Sequence, residues 1–129
     1  MMIEIGFPPL DSDHRYLMAM LDELARAARD GADALLLEDQ SLEVAASLES
    51  HFAKEERMLE ECLDAKRSQH MARHADLLDR MNGMNGQVLS ALGPEGAYER
   101  ILSFANELAE EVEAFDLDAV PGIIALQKS

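Results

Sequence analysis

Apolar residues recur every three to four positions through most of this chain, and each such run predicts one amphipathic helix. The first stripe is Leu17, Met18, Leu21, Leu24, Ala25 and Ala28. Asp11 or Ser12 is placed to cap it, and Asp30-Gly31 to end it, since glycine accepts the left-handed conformation of a helix cap. The second stripe is Val44, Leu48, Phe52, Met58, Leu59 and Cys62, on a helix expected from an N-cap at Ser41 to about Leu63. Asp64 to Ser68 reads as a turn. A third helix carries Leu77, Leu78 and Met81 and meets a doubled Met-Asn-Gly at 81–86. That doublet is compatible with a kink, a helix end or a tolerated irregularity. Gly93-Pro94-Glu95-Gly96 is a break, and the fourth stripe, Ile101, Phe104, Leu108 and Phe115, follows it.

Pro8-Pro9 argue against regular helix over 1–10, so these residues are expected as an extended arm laid across the bundle. Pro121-Gly122 interrupts the other end and leaves 117–129 as a tail. Four helices with short links predict an all-α protein: an up-down four-helix bundle, in a single domain spanning 1–129. Composition agrees. Aromatic residues make up 5%, Trp is absent, and β-branched residues are scarce, which disfavours sheet. The formal net charge of −15 repels nucleic acid and anionic membranes, so neither is an expected partner. No run of about 18 apolar residues and no signal-peptide pattern is present, and the expected location is the cytoplasm. The single cysteine, Cys62, cannot form an internal disulfide. On its apolar stripe it reads as a small core residue.

The informative residues are the polar ones that interrupt the stripes. His51 and Glu55 lie four apart on an apolar helical face, and His70 and His74 repeat that spacing fifteen residues later. His14 is in register with Leu17, Met18 and Leu21. Glu111 falls on one face with Ile101, Phe104, Leu108 and Phe115, while Asp116, about 140° further round, flanks it. A buried charge without a partner is very unfavourable, and a metal ion shared between helices would satisfy all of these groups together. The candidate ligands are His14, His51, Glu55, His70, His74, Glu111 and Asp116. They are too many for one zinc, and mixed imidazole and carboxylate donors suit iron or manganese, with a carboxylate able to bridge two ions. Two iron ions fit best.

Together these segments resemble the hemerythrin family over nearly the whole chain. Leu10-Asp11-Ser12-Asp13-His14-Arg15-Tyr16-Leu17 looks like the family's first-helix motif. His51-Phe52-Ala53-Lys54-Glu55-Glu56-Arg57-Met58 is similar to its His-Phe-x-x-Glu-Glu segment followed by Met. His70 and His74 follow at the family's spacing. The fourth-helix motif, His-Ile-x-x-x-Asp, reads here Glu111-Val112-Glu113-Ala114-Phe115-Asp116. The aspartate is kept and the histidine has become Glu111.

The resemblance implies a non-heme di-iron centre. His14 and His51 would hold one iron, His70 and His74 the other, and Glu55 and Asp116 would bridge them through carboxylates, beside an oxo or hydroxo bridge. Glu111 stands where the family has a fifth histidine, on the second iron. The family binds O2 reversibly at the iron lacking that ligand. Its bacterial members are linked to oxygen storage, delivery and sensing, and carboxylate-rich relatives to nitric oxide handling or iron repair. The expected function is therefore O2 or NO binding for storage, delivery or sensing. Glu111 lowers the formal charge of the centre in each redox state, and as a hard anionic donor it favours the oxidised pair. This keeps open a di-iron oxidase or peroxidase. A metal-free or zinc-bound bundle acting through protein partners is a third reading.

Overall fold

The computed structural model describes residues 8–61 and 67–118, with the side chains of 8–11, 59, 61, 113 and 115–118 left out. Four helices account for them: α1 (Pro8–Arg29), α2 (Ala34–Glu61), α3 (Arg67–Gly83) and α4 (Gly86–Asp118). α1 packs on α2 and α4, and α3 packs on α2 and more lightly on α4. His14 lies near the start of α1, His51 and Glu55 near the end of α2, His70 and His74 near the start of α3, and Glu111 near the end of α4. Their side chains meet in one core, so successive helices run in opposite directions. This is the expected up-down bundle. No helix among the described residues is long and apolar enough to cross a membrane.

The stripes read from the sequence form the core. Leu21 and Leu24 of α1, Leu48 of α2, Leu77 and Met81 of α3, and Ile101, Phe104 and Leu108 of α4 are almost fully buried. Each contributes on the order of 1.5–3 kcal/mol of transfer free energy. α1 ends as expected. Gly31 has φ of 84°, its N–H donates to the Ala28 carbonyl, and the Ala32 N–H donates to the Ala27 carbonyl. Those two bonds are the paired hydrogen bonds of a Schellman cap.

Several boundaries differ from the sequence reading. α1 begins at Pro8, inside the segment expected as an arm and ahead of the expected cap at Asp11 or Ser12. An N–H in the first turn has no intrahelical partner, so proline gives up nothing by lacking one, and its fixed φ suits the helix. The remainder of the arm, 1–7, lies outside the described residues. α2 begins at Ala34, seven residues before Ser41. Its cap is Asp33, whose Oδ1 accepts from the Leu36 N–H at 2.9 Å, while Ser41 donates its hydroxyl to the Glu38 carbonyl from within the helix. Leu37 anchors this added turn by burial; Leu35, Leu36 and Leu42 stay exposed. Arg67 and Ser68, read as part of a turn, already belong to α3.

The doubled Met-Asn-Gly is a helix end. α3 stops at Gly83, and Asn85 caps α4 by accepting from the Val88 N–H at 2.9 Å. The fourth helix therefore starts before the expected break and contains it. Gly93, with φ of 78° and ψ of 166°, interrupts the helix, and Pro94 restarts it. Proline cannot supply an N–H to the preceding turn, and glycine tolerates the positive φ. α4 runs on to Asp118, and the rest of the expected tail, 119–129, lies outside the described residues, as does Cys62.

Gly86 pins the corner between α2 and α4. Its N–H donates to Glu38 Oε2 at 2.8 Å. A Cβ built on it would overlap the Ala34 carbonyl oxygen and lie 2.7 Å from the Glu38 nitrogen. Gly83, by contrast, faces open space. Gly86→Ala should destabilise the bundle by about 1–3 kcal/mol through overpacking, seen as a lower unfolding midpoint, whereas Gly83→Ala should leave the midpoint unchanged or raise it. Equal midpoints for the two variants would refute the close approach.

Candidate metal centre

Each helix delivers its polar residues to the core because they occupy apolar register positions. His14, His51, Glu55, His70, His74 and Glu111 are all at most 4% exposed. They form two sets. In the first, one donor atom from each of His14, His51 and Glu55 lies within 4.8 Å of the others. The His14 and His51 rings meet edge to face, with centroids 4.6 Å apart. In the second set, a single Glu111 oxygen, Oε1, lies 3.1 Å from both His70 Nδ1 and His74 Nε2. Glu55 joins the sets: its Oε1 is 3.0 Å from His51 Nε2 and 3.8 Å from His74 Nε2. Six of the seven candidate residues from the sequence are thus gathered in one core. Asp116 belongs to α4, but its side chain lies outside the described residues.

Two carboxylates not singled out in the sequence hold the imidazoles from behind. Asp13 Oδ2 lies 3.3 Å from His51 Nδ1, and Glu56 Oε2 lies 3.2 Å from His74 Nδ1. With Nδ1–H donating outward, Nε2 of each ring presents its lone pair to the core, the tautomer that a metal ligand requires. For His51 that lone pair then faces Glu55 Oε1 at 3.0 Å, and Glu55 Oε2 is buried without a hydrogen bond among the described residues. Electron-rich atoms so placed repel one another unless a cation lies between them. The residues present therefore fit a metal ion. Phe52 braces the second set by stacking on His74 at 4.0 Å and 4°. The signal for the two supporting carboxylates was available in sequence: Asp13 precedes His14, and Glu56 follows Glu55. Which imidazole each supports depends on contacts across 38 and 18 residues.

Protons partly replace the cation in the metal-free state. Burial opposes charging His74, but its hydrogen bond to Glu111, the charges of Glu55 and Glu111 and the hydrogen bond to Glu56 outweigh that and raise its pKa. For Asp13, burial acts upward, and the hydrogen bonds from His51 and Lys54 overcome it, lowering the carboxyl pKa.

A family model described as the hemerythrin HHE cation-binding domain matches residues 6–117. The chain belongs to that family. Comparison with curated proteins and with solved structures found no match. Membership explains the buried polar core of this hemerythrin-family domain: its helices carry a cation-binding function, and the sets around Glu55 provide a candidate site.

Two outcomes are expected. The metal-free fold binds the His74 proton more tightly than the unfolded chain does. Its stabilisation is full below the ordinary pKa of 6.5 and is lost as pH rises through the raised folded value. Melting midpoints of chelator-treated protein should fall across that window, with a shallower fall in His74→Gln. Separately, Asp13→Asn should weaken metal retention about 10–100-fold in competition with a chelator, through loss of the partner that orients His51. Unaltered retention would show that Asp13 does not orient the ring.

Proposed function

We propose that this hemerythrin-family domain holds two iron ions and binds O2 or NO for storage, delivery or sensing, in the cytoplasm. The observation that carries the reading is the position of Glu55, whose Oε1 approaches an imidazole of each set. A carboxylate so placed serves as a bridge. His14 and His51 would hold one ion, and His70, His74 and Glu111 the other, with Glu55 and, as the resemblance to the family implies, Asp116 shared between them. A ferrous pair held there would supply the electrons that binding of a diatomic ligand draws on.

The chain's own residues supply orientation and exclusion of water. Asp13 and Glu56 fix the tautomers of His51 and His74. Phe52 stacks on His74, and Leu17 and Leu108, one helical turn from His14 and Glu111 along their helices, are buried. In such a dry site the carboxylates act at full strength. Glu111 contacts both imidazoles of the second set. This placement also favours a second reading, a di-iron oxidase or peroxidase, because a hard anionic donor stabilises the oxidised ions.

Protein grown with iron and purified without chelator should contain about two irons per chain, as expected for a centre with mixed imidazole and carboxylate donors. Zinc alone would refute the assignment. After reduction and exposure to O2, a persistent oxy spectrum supports ligand binding, while direct oxidation with turnover of reductant supports the enzyme. Glu111→His should slow autoxidation and raise the reduction potential. If its rate and spectra match those of the parent, Glu111 does not bind the metal.

A further inference from the structure

A groove of about 440 Å³ lies between α1 and α2, beside the metal centre and sharing Asp13 and His51 with it. Its size falls within the range of about 300–1,000 Å³ typical of small-molecule sites. On the α2 side, Ser47, Ser50, Lys54 and Arg57 line it. These positions are spaced by three, four and three residues, so they form one stripe along the helix. Tyr16 and Asp13 of α1 complete it, above a floor that includes the buried Leu17.

The charge of this stripe runs against that of the chain. The protein has 26 acidic and 11 basic residues, yet two cations occupy this groove, and Asp13 is the one acid among its described lining residues. The Asp13 carboxylate is already engaged, since Oδ2 accepts from Lys54 at 3.2 Å and lies 3.3 Å from His51 Nδ1. Arg57 has no ion pair or hydrogen bond among the described residues, although most other arginines of the bundle have a carboxylate or ring partner. Arg26, Arg29, Arg67, Arg73 and Arg80 all do. The hydroxyls of Tyr16, Ser47 and Ser50 likewise make no hydrogen bond within the described residues. Among its described lining residues the groove therefore presents a guanidinium fork, an ammonium and three hydroxyls, with Asp13 as the single acid.

We propose that this groove binds a phosphoryl group. A phosphoryl group offers several anionic oxygens. It can accept two parallel bonds from Arg57, a charge-assisted bond from Lys54 and neutral bonds from the serines. A carboxylate would use fewer of these donors, and a nucleic acid backbone would be repelled by the chain's net charge. The space beyond the cations is large enough for a small organic remainder against the Tyr16 ring, so the source is either free phosphate or a small phosphomonoester. His51 forms part of the groove wall, so the groove adjoins the metal centre, while Ser47, Ser50, Lys54 and Arg57 belong to the groove alone.

The test is calorimetric titration of the full chain, purified without chelator and at low ionic strength, with inorganic phosphate and separately with glycerol phosphate. Chloride at matched ionic strength serves as the control. Saturable heat with either phosphate and none with chloride is the expected result, and tighter binding of the ester identifies a phosphorylated metabolite as the source. Lys54→Gln and Arg57→Gln should each weaken binding about tenfold or more, the effect of losing one charge-assisted hydrogen bond. Arg100→Gln, on the exposed face of α4, should leave it unchanged. Arg57 is exposed and makes no ion pair or hydrogen bond among the described residues, so its variant remains interpretable, and its melting midpoint should equal the parent's. Non-saturable heat, or parental affinity in Arg57→Gln, would overturn the proposal.

Discussion

Burial of the Glu55 and Glu111 carboxylates is the condition on which the rest of this structure depends. Both sit at positions that would otherwise hold leucine, and each would be highly unfavourable as an isolated ion in a hydrocarbon core. Four imidazoles, a pair of supporting carboxylates and a cation turn that penalty into a defined arrangement. It requires His14, His51, His70 and His74 at one level, which fixes the helix directions and the vertical register of all four helices. An apolar core alone would tolerate sliding by a turn. Converging donors do not.

The polar level occupies one end of the bundle, and the other end is built differently. There Leu24, Leu37, Leu48, Leu89 and Met81 pack without charges, and the connections are tight. Asp33 caps α2, Asn85 caps α4, and Gly86 lets the two helix starts touch. This end carries the hydrophobic stabilisation that the site end gives up. The division also explains the break at Gly93. It falls in the apolar half, so α4 can change direction there and still bring Glu111 into line with His70 and His74.

Glu111 gives the second set its own carboxylate. Histidine at that position would offer a neutral donor. Glutamate offers an anion, and its oxygen reaches both imidazoles of the second set. Each set thus pairs two imidazoles with a carboxylate, Glu55 beside His14 and His51 and Glu111 beside His70 and His74.

Helix number, helix faces and the six polar residues of the core were legible in the sequence, because a 3.6-residue period converts spacing directly into facing. His51 and Glu55 had to share a side, and Glu111 had to point where Phe104 and Leu108 point. The family, too, was legible from motif order. Boundaries were not. Ser41 and Asp33 are both competent caps, and the choice between them was made by the burial of Leu37 against another helix. The doubled Met-Asn-Gly could end a helix or bend it, and only the fit of Gly86 against Ala34 and Glu38 decided. The partners of Asp13, Glu56 and Lys54 lie on other helices, so no local rule could assign them. Local periodicity determined which side chains turn inward; the packing of one helix against another decided which of them meet, because a hydrogen bond depends on distances in space that sequence separation does not encode.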